Sequence, residues 1–210
     1  MQELQAKDIL LNQLNVSRET MDNLQTLVSL LKKWNKTINL VGKSTIEQIW
    51  ARHILDSAQM WQHRPHNLET WVDLGSGGGF PGLVVAILAK ADASSAVFHL
   101  IESDARKCAF LRNVSRETSI NTKIHICRIE SAESISADVV SARALASVDV
   151  LFDYSQKFLS KNAYCLFLKG QSCATEVKNA RDSWQFKFET TKSLSNSHGV
   201  ILKAWNIKRA

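Results

Sequence analysis

From residue 66 onward, short apolar runs alternate with stretches of helical spacing, and this alternation limits the chain to one class of fold. Thr70–Leu74, Val97–Glu102, Ile124–Ile129, Asp138–Ser141 and Tyr164–Leu168 read as strands. Pro81–Lys90, Asp104–Thr118, Ser147–Leu159 and Ala174–Ser183 read as helices. Strands that are apolar on both faces need cover on both sides, so the pattern predicts a doubly wound α/β fold with a mainly parallel sheet. Phe186–Leu194 and Gly199–Ile207 follow with no room for a helix between them, which predicts a closing antiparallel hairpin and about seven strands in all.

Residues 1–65 lack any strand pattern and predict a small helical cap, distinct from the α/β domain of residues 66–210. Leu4, Ile9, Leu10, Leu11 and Leu14 mark a short first helix. Val16 and Ser17 suit a staple and cap, after which Met21, Leu24, Val28, Leu31 and Trp34 recur at steps of three and four. Ser44 and Glu47 have capping-box spacing ahead of Ile46, Ile49, Trp50, Ile54 and Trp61, and Pro65 closes the stretch. Trp34, Trp50 and Trp61 occupy apolar helix positions, which makes them core residues and not platforms for bases.

Composition removes several function classes. With 45% hydrophobic and 22% charged residues the chain is neither disordered nor fibrous. No apolar run approaches the roughly 20 residues that cross a bilayer, and no leader pattern opens the chain, so a cytoplasmic protein is expected. The cysteines Cys108, Cys127, Cys165 and Cys173 show no metal or redox spacing and read as reduced thiols. His53 and Asp56 share a helix face without further ligands, so no metal site is expected; a hydrogen-bonded tie from the cap to the glycine loop fits them better. A net charge of +6 points weakly to an anionic partner.

The stretch VDLGSGGGFPG, residues 72–82, joins the first strand to its helix. A mononucleotide P-loop would need Gly-Lys-Ser/Thr at its end, and Gly82 is followed by Leu83. Gly77, Gly79 and Gly82 match the dinucleotide fingerprint, with Glu102 placed where a ribose is read. That match starts late, however. Asp73 closes the strand and Gly75 already begins the turn, giving D-x-G-x-G-x-G through Gly79. A carboxylate at this point disfavours a pyrophosphate and favours a sulfonium cation, which turns the reading towards S-adenosylmethionine. Pro81 suits the first helical turn.

The chain from about residue 30 resembles the bacterial small-subunit ribosomal RNA methyltransferase G family, also called glucose-inhibited division protein B. The resemblance rests on WNKTINLVG (34–42), RHILDS (52–57), VDLGSGGGFPG (72–82), IESDARKCAFLR (101–112), SARALAS (141–147) and LFLKGQ (166–171). It implies a Rossmann-like methyltransferase domain and methyl transfer from S-adenosylmethionine to N7 of one guanine in 16S ribosomal RNA, free or in the small subunit; separately, a monomer is expected. Family cofactor contacts fall on Gly75, Phe80, Ile129, Glu130 and Arg143; the fold adds Asp73, Gly77, Gly79 and Glu102. Ile129 and Glu130 are expected to end the third strand and flank the adenine. The alternative is an S-adenosylmethionine enzyme acting on a small molecule or protein.

Guanine N7 carries a free lone pair, so its methylation requires no general base. The sequence accordingly offers no catalytic residue, and SARALAS stands where exocyclic-amine methyltransferases carry a Pro-Pro motif. Arg143 is expected to face the methionine carboxylate or a phosphate. Lys169, at the open rim of the sheet, is a candidate for an RNA phosphate or the guanine O6 edge. Arg106, Lys107 and Arg112, with Arg116 and the cap lysines Lys32, Lys33, Lys36 and Lys43, form a candidate phosphate-binding surface.

Overall fold

The computed structural model describes residues 1–210. Seven strands form one sheet in the order β3-β2-β1-β4-β5-β7-β6. They are β1 (Thr70–Leu74), β2 (Val97–Glu102), β3 (Thr122–Ile126), β4 (Ala137–Arg143), β5 (Leu159–Lys169), β6 (Trp184–Lys192) and β7 (Val200–Arg209). The first five run parallel, and β7 inserts antiparallel between β5 and β6. The order reverses between β1 and β4, which parts the flanking crossovers and leaves an opening at the carboxyl ends of those strands.

Side-chain alternation along β1 sorts the core into two layers. Trp71 points to one face, with Phe98, Leu100, Val139 and Leu166 from the neighbouring strands. On that face lie α4 (Gly82–Ala91), α5 (Ala105–Thr118) and the cap. Val72 and Leu74 point to the other face, against α6 (Val148–Ser155) and α7 (Cys173–Ala180). Between β3 and β4 the chain makes only a 3-10 turn, Ile129–Ser131, with no covering helix.

The cap comprises α1 (Glu3–Asn12), α2 (Arg18–Trp34) and a third helical stretch. Ser17 caps α2 as expected, accepting the Thr20 N–H at 3.1 Å, and Trp34 meets Phe110 of α5 edge-on at 5.9 Å. In α1 only Ala6, Ile9 and Leu10 are buried, so Leu4 and Leu11 lie off the packed face. The third stretch differs from its expected form. It runs through a 3-10 turn (Ile46–Gln48), a π-helix (Trp50–Leu55), α3 (Asp56–Ala58) and a second 3-10 turn (Gln59–His63). No capping box between Ser44 and Glu47 forms at its start; the cap position falls on Thr45, which donates to the Gly42 carbonyl and bonds His53. Trp50 and Trp61 are buried as expected, and their layer is continuous with α4 and α5. No helix is long and apolar enough to cross a membrane.

Candidate active site

The glycine loop takes its shape from left-handed backbone at Gly75, Gly77 and Gly79, whose φ angles are 61°, 54° and 86°. Such angles are free of penalty for glycine alone. At Gly75 a Cβ would lie 2.8 Å from Leu145 Cδ1, so any larger residue there would have to displace the Leu145 side chain. The loop ends in a cis Phe80–Pro81 peptide, and Pro81 stands immediately before α4 instead of within its first turn.

Asp73, expected beside a ligand, stands near the end of β1 with its carboxylate turned into the protein. It is 1% exposed and sits beneath the loop. Its Oδ1 accepts the Ser141 hydroxyl at 2.6 Å, and Oδ2 accepts the Gly82 N–H at 3.2 Å. Ser141 in turn accepts from Trp71 Nε1 at 2.8 Å. Burial raises the Asp73 pKa to about 6 against the opposing pull of its hydrogen bonds from Ser141, Ser76 and Gly82. The acid is a peg that fixes the start of α4 to β4.

Glu102 ends β2 and reaches the loop. Its Oε2 accepts the Gly77 N–H at 2.9 Å, and Oε1 accepts the Asp104 N–H at 2.8 Å. Beside it opens a cleft of about 260 Å³ lined by Gly75, Gly77, Glu102, Ile129, Glu130 and Leu145. Five residues expected around the cofactor thus meet at one place. Ile129 and Glu130 do so from the 3-10 turn and not from a strand end, because β3 leaves the sheet after Ile126. Lys157 secures that turn by donating to the Glu130 and Ala132 carbonyls, each at 2.9 Å. Tyr154 of α6 lines the same cleft beside Glu130.

Phe80, Gly79 and Arg143 are not part of the cleft wall. Phe80 packs against the His53 ring at 4.9 Å between centroids. The Arg143 guanidinium turns to the cap: Nη1 donates to His53 Nδ1 at 2.8 Å, Nη2 to the Arg52 carbonyl, and Nε lies 3.5 Å from Asp56 Oδ2. With Nδ1 accepting, His53 Nε2–H donates to Thr45 Oγ1 at 2.9 Å. Burial, then the Arg143 and Arg52 charges, lower the His53 pKa to about 3, so the ring is neutral at physiological pH. Asp56 also accepts from Ser193 and Ser195 at the β6–β7 turn, at 3.1 and 2.7 Å. The His53–Asp56 pair therefore ties the cap to β4 and the hairpin. Its link to the glycine loop is ring packing on Phe80, not a hydrogen bond.

The cations expected to meet RNA divide. Lys169 is only 9% exposed, pairs with Glu176 at 2.5 Å and donates to the Ala146 carbonyl at 2.8 Å, so its charge is already engaged by protein groups. Arg106 is exposed but bonded to Asp104 at 3.0 Å. Lys107 lines the cleft, and Arg112, with Lys32, Lys33, Lys36 and Lys43, is exposed on the surface.

Sequence reasoning missed Leu145 and Tyr154. A positive φ of 48° at Ala144 turns the chain so that Leu145 comes over Gly75. An alanine seldom adopts that angle, and nothing in its residue type announces it. Sequence reasoning also passed over Asn35, whose Oδ1 accepts the Leu40 and Val41 N–H groups at 2.9 and 3.0 Å. That turn sets the Leu40 carbonyl against Gly78, where a Cβ would stand 3.0 Å away.

Comparison with known proteins agrees with this architecture. The M. jannaschii TYW2 structure, solved in complex with AdoMet, is 15% identical with a TM-score of 0.56, covering 83% of this chain and 80% of that one. At this identity the likeness concerns the fold. A ribosomal RNA small subunit methyltransferase G of Cereibacter sphaeroides is 46% identical over 94% of this chain and 96% of its own length. Its counterpart in Parvibaculum lavamentivorans is 48% identical over 90% and 84%. The family described as rRNA small subunit methyltransferase G (GidB) matches residues 20–203, and the chain belongs to that family.

Proposed function

We propose that this protein transfers the methyl group of S-adenosylmethionine to N7 of one guanine in 16S ribosomal RNA of the small subunit, acting in the cytoplasm as a monomer. The observation that carries the reading is a cleft at the strand-order reversal lined by Gly75, Gly77, Glu102, Ile129 and Glu130. Neither His53 nitrogen is free, and Asp73 is sealed beneath the loop. Attack by N7 needs neither group, since no proton has to leave the nucleophile.

The cleft fits the cofactor by the chemistry of its lining. Ile101 and Ile129 present apolar surface for a flat base, while Glu102 keeps unused lone pairs for vicinal hydroxyls. The backbone at Gly75 and Gly77 permits close approach, and the Glu130 backbone borders the base. When bound, the cofactor supplies a methyl group on a sulfonium. Asp73, Gly79 and Phe80 hold the loop in shape from beneath and behind, and Arg143 fixes the loop after β4 to the cap. Such fixed placement of reacting groups contributes on the order of 7–11 kcal/mol in favourable cases. The excess of positive charge, +6 over the chain, supports an anionic substrate over a neutral small molecule.

The test is to map modified guanines in ribosomal RNA from cells with and without this protein. One N7-methylguanine that disappears with the protein is expected; an unchanged map contradicts the proposal.

A further inference from the structure

A second cavity, of about 320 Å³, lies at the carboxyl ends of β4 and β5. Arg143 and Ala144 line it, and the next residue, Leu145, lines the glycine-loop cleft, so one short segment borders both spaces. Its wall holds three cations, Arg52, Arg143 and Lys169, against two carboxylates, Asp56 and Glu176. Lys169 pairs with Glu176 at 2.5 Å, and Arg143 stands 3.5 Å from Asp56.

Arg52 is the charge left over. It is exposed, and its guanidinium makes no hydrogen bond or ion pair, while its carbonyl accepts from Arg143. Burial lowers the Arg143 pKa, Asp56 pulls it up, and the adjacent Arg52 charge lowers it again. At the mouth, a side chain added to Gly170 would meet nothing within 4 Å, so the entrance is open.

Resting on the methyl-transfer reading above, we propose that this cavity seats the target nucleotide drawn out of its stack, and that Arg52 holds that nucleotide's phosphate. Enzymes that act on a base remove it from the stack because the target atom is out of reach within it. The extruded nucleotide needs a space bordering the methyl donor, and this cavity has one through the Ala144–Leu145 segment. Its phosphate needs a fork of N–H groups without a protein partner, which only Arg52 offers among the three cations. The Lys169–Glu176 pair, neutral as a unit, leaves the interior able to accept an uncharged base.

The test compares Arg52→Ala and Arg52→Lys with the wild type, all checked for unchanged melting temperature. Direct binding to unmethylated small-subunit RNA is measured over a salt series without donor, and S-adenosylhomocysteine binding is measured separately. Arg52→Ala is expected to weaken RNA binding by about tenfold and to lower the slope of log affinity against log salt by about one. Arg52→Lys should recover the slope but only part of the affinity, since a point charge replaces a fork. Affinity for S-adenosylhomocysteine should not change. RNA affinity and slope unaltered in Arg52→Ala, or an equal loss of S-adenosylhomocysteine binding, would overturn the assignment. Because RNA binding is read without methyl transfer, a wild-type protein that transfers no methyl group would contradict the function and leave the Arg52 result to stand by itself.

Discussion

Arg143 at the end of β4 donates to His53 Nδ1 at 2.8 Å, across the seam between sheet and cap. This bond joins the segment that borders the cleft to the helical stretch that packs on Phe80. Truncating Arg143→Ala leaves His53 Nδ1 and Asp56 short of a partner inside a mostly buried seam. An unmade buried hydrogen bond costs about 1–3 kcal/mol. Urea unfolding should show a stability loss of that size, and Arg143→Lys should recover little of it, having no fork to span His53, Asp56 and the Arg52 carbonyl. Methyl transfer should fall further than stability alone requires when assayed well below the melting temperature. Unfolding curves that coincide with the wild type would contradict the role given to this seam.

Glu102 holds the loop through one oxygen and the start of α5 through the other. Glu102→Gln keeps the shape but replaces one acceptor with a donor, setting N–H against N–H. S-adenosylhomocysteine affinity should drop by about tenfold or more, corresponding to roughly 1.4 kcal/mol. Calorimetric titration reads this directly. Unchanged affinity would show that the carboxylate shapes the loop without contacting the ligand.

Gly75→Val should abolish donor binding. The new side chain meets Leu145 at a left-handed backbone position, φ 61°, and projects where the loop borders the cleft. The strain is on the order of 1–2 kcal/mol, too small to unfold a domain of this size. Circular dichroism should stay native while S-adenosylhomocysteine no longer raises the melting temperature. A retained thermal shift would remove the loop from the binding site.

Asp73 gives stability a defined pH dependence. Its folded pKa of about 6 lies above its ordinary value of 3.8, so the folded state holds the proton more tightly than the unfolded chain. The contribution is complete below about pH 4 and is lost as pH rises through about 6. Relative to Asp73→Asn, the wild type should therefore lose stability between pH 4 and pH 6 and hold a constant difference above pH 7. Urea unfolding of both proteins at a series of pH values tests this, and a difference that grows in favour of the wild type with rising pH would contradict it.

The strands were legible because each is an apolar run bounded by turns: β1 and β2 match their expected bounds residue for residue. The third strand was read out of place, from Ile124 to Ile129, two residues late at its start and three at its end. The strand begins at Thr122, and after Ile126 the chain leaves the sheet and spends Ile129 on the cleft wall instead. The third cap stretch was legible as helical through its apolar spacing, yet not as a π-helix, since that winding depends on what it packs against. At the site, the glycines and Glu102 follow from local pattern alone. The partners of Asp73, Arg143 and Lys169 do not, because Ser141, His53 and Ala146 approach from distant segments. Long side chains at strand ends can point into a cleft or away from it, and only the packed neighbours decide.

Methyl transfer to defined RNA tests the account most directly. Small-subunit RNA from cells lacking this protein, incubated with the purified chain and S-adenosylmethionine labelled in its methyl group, should take up label at a single guanine. Borohydride reduction followed by aniline should then cleave the strand at that guanine, as alkylation of N7 permits. Label absent from the RNA, or label that leaves the strand intact under this treatment, would contradict an N7 methyltransferase.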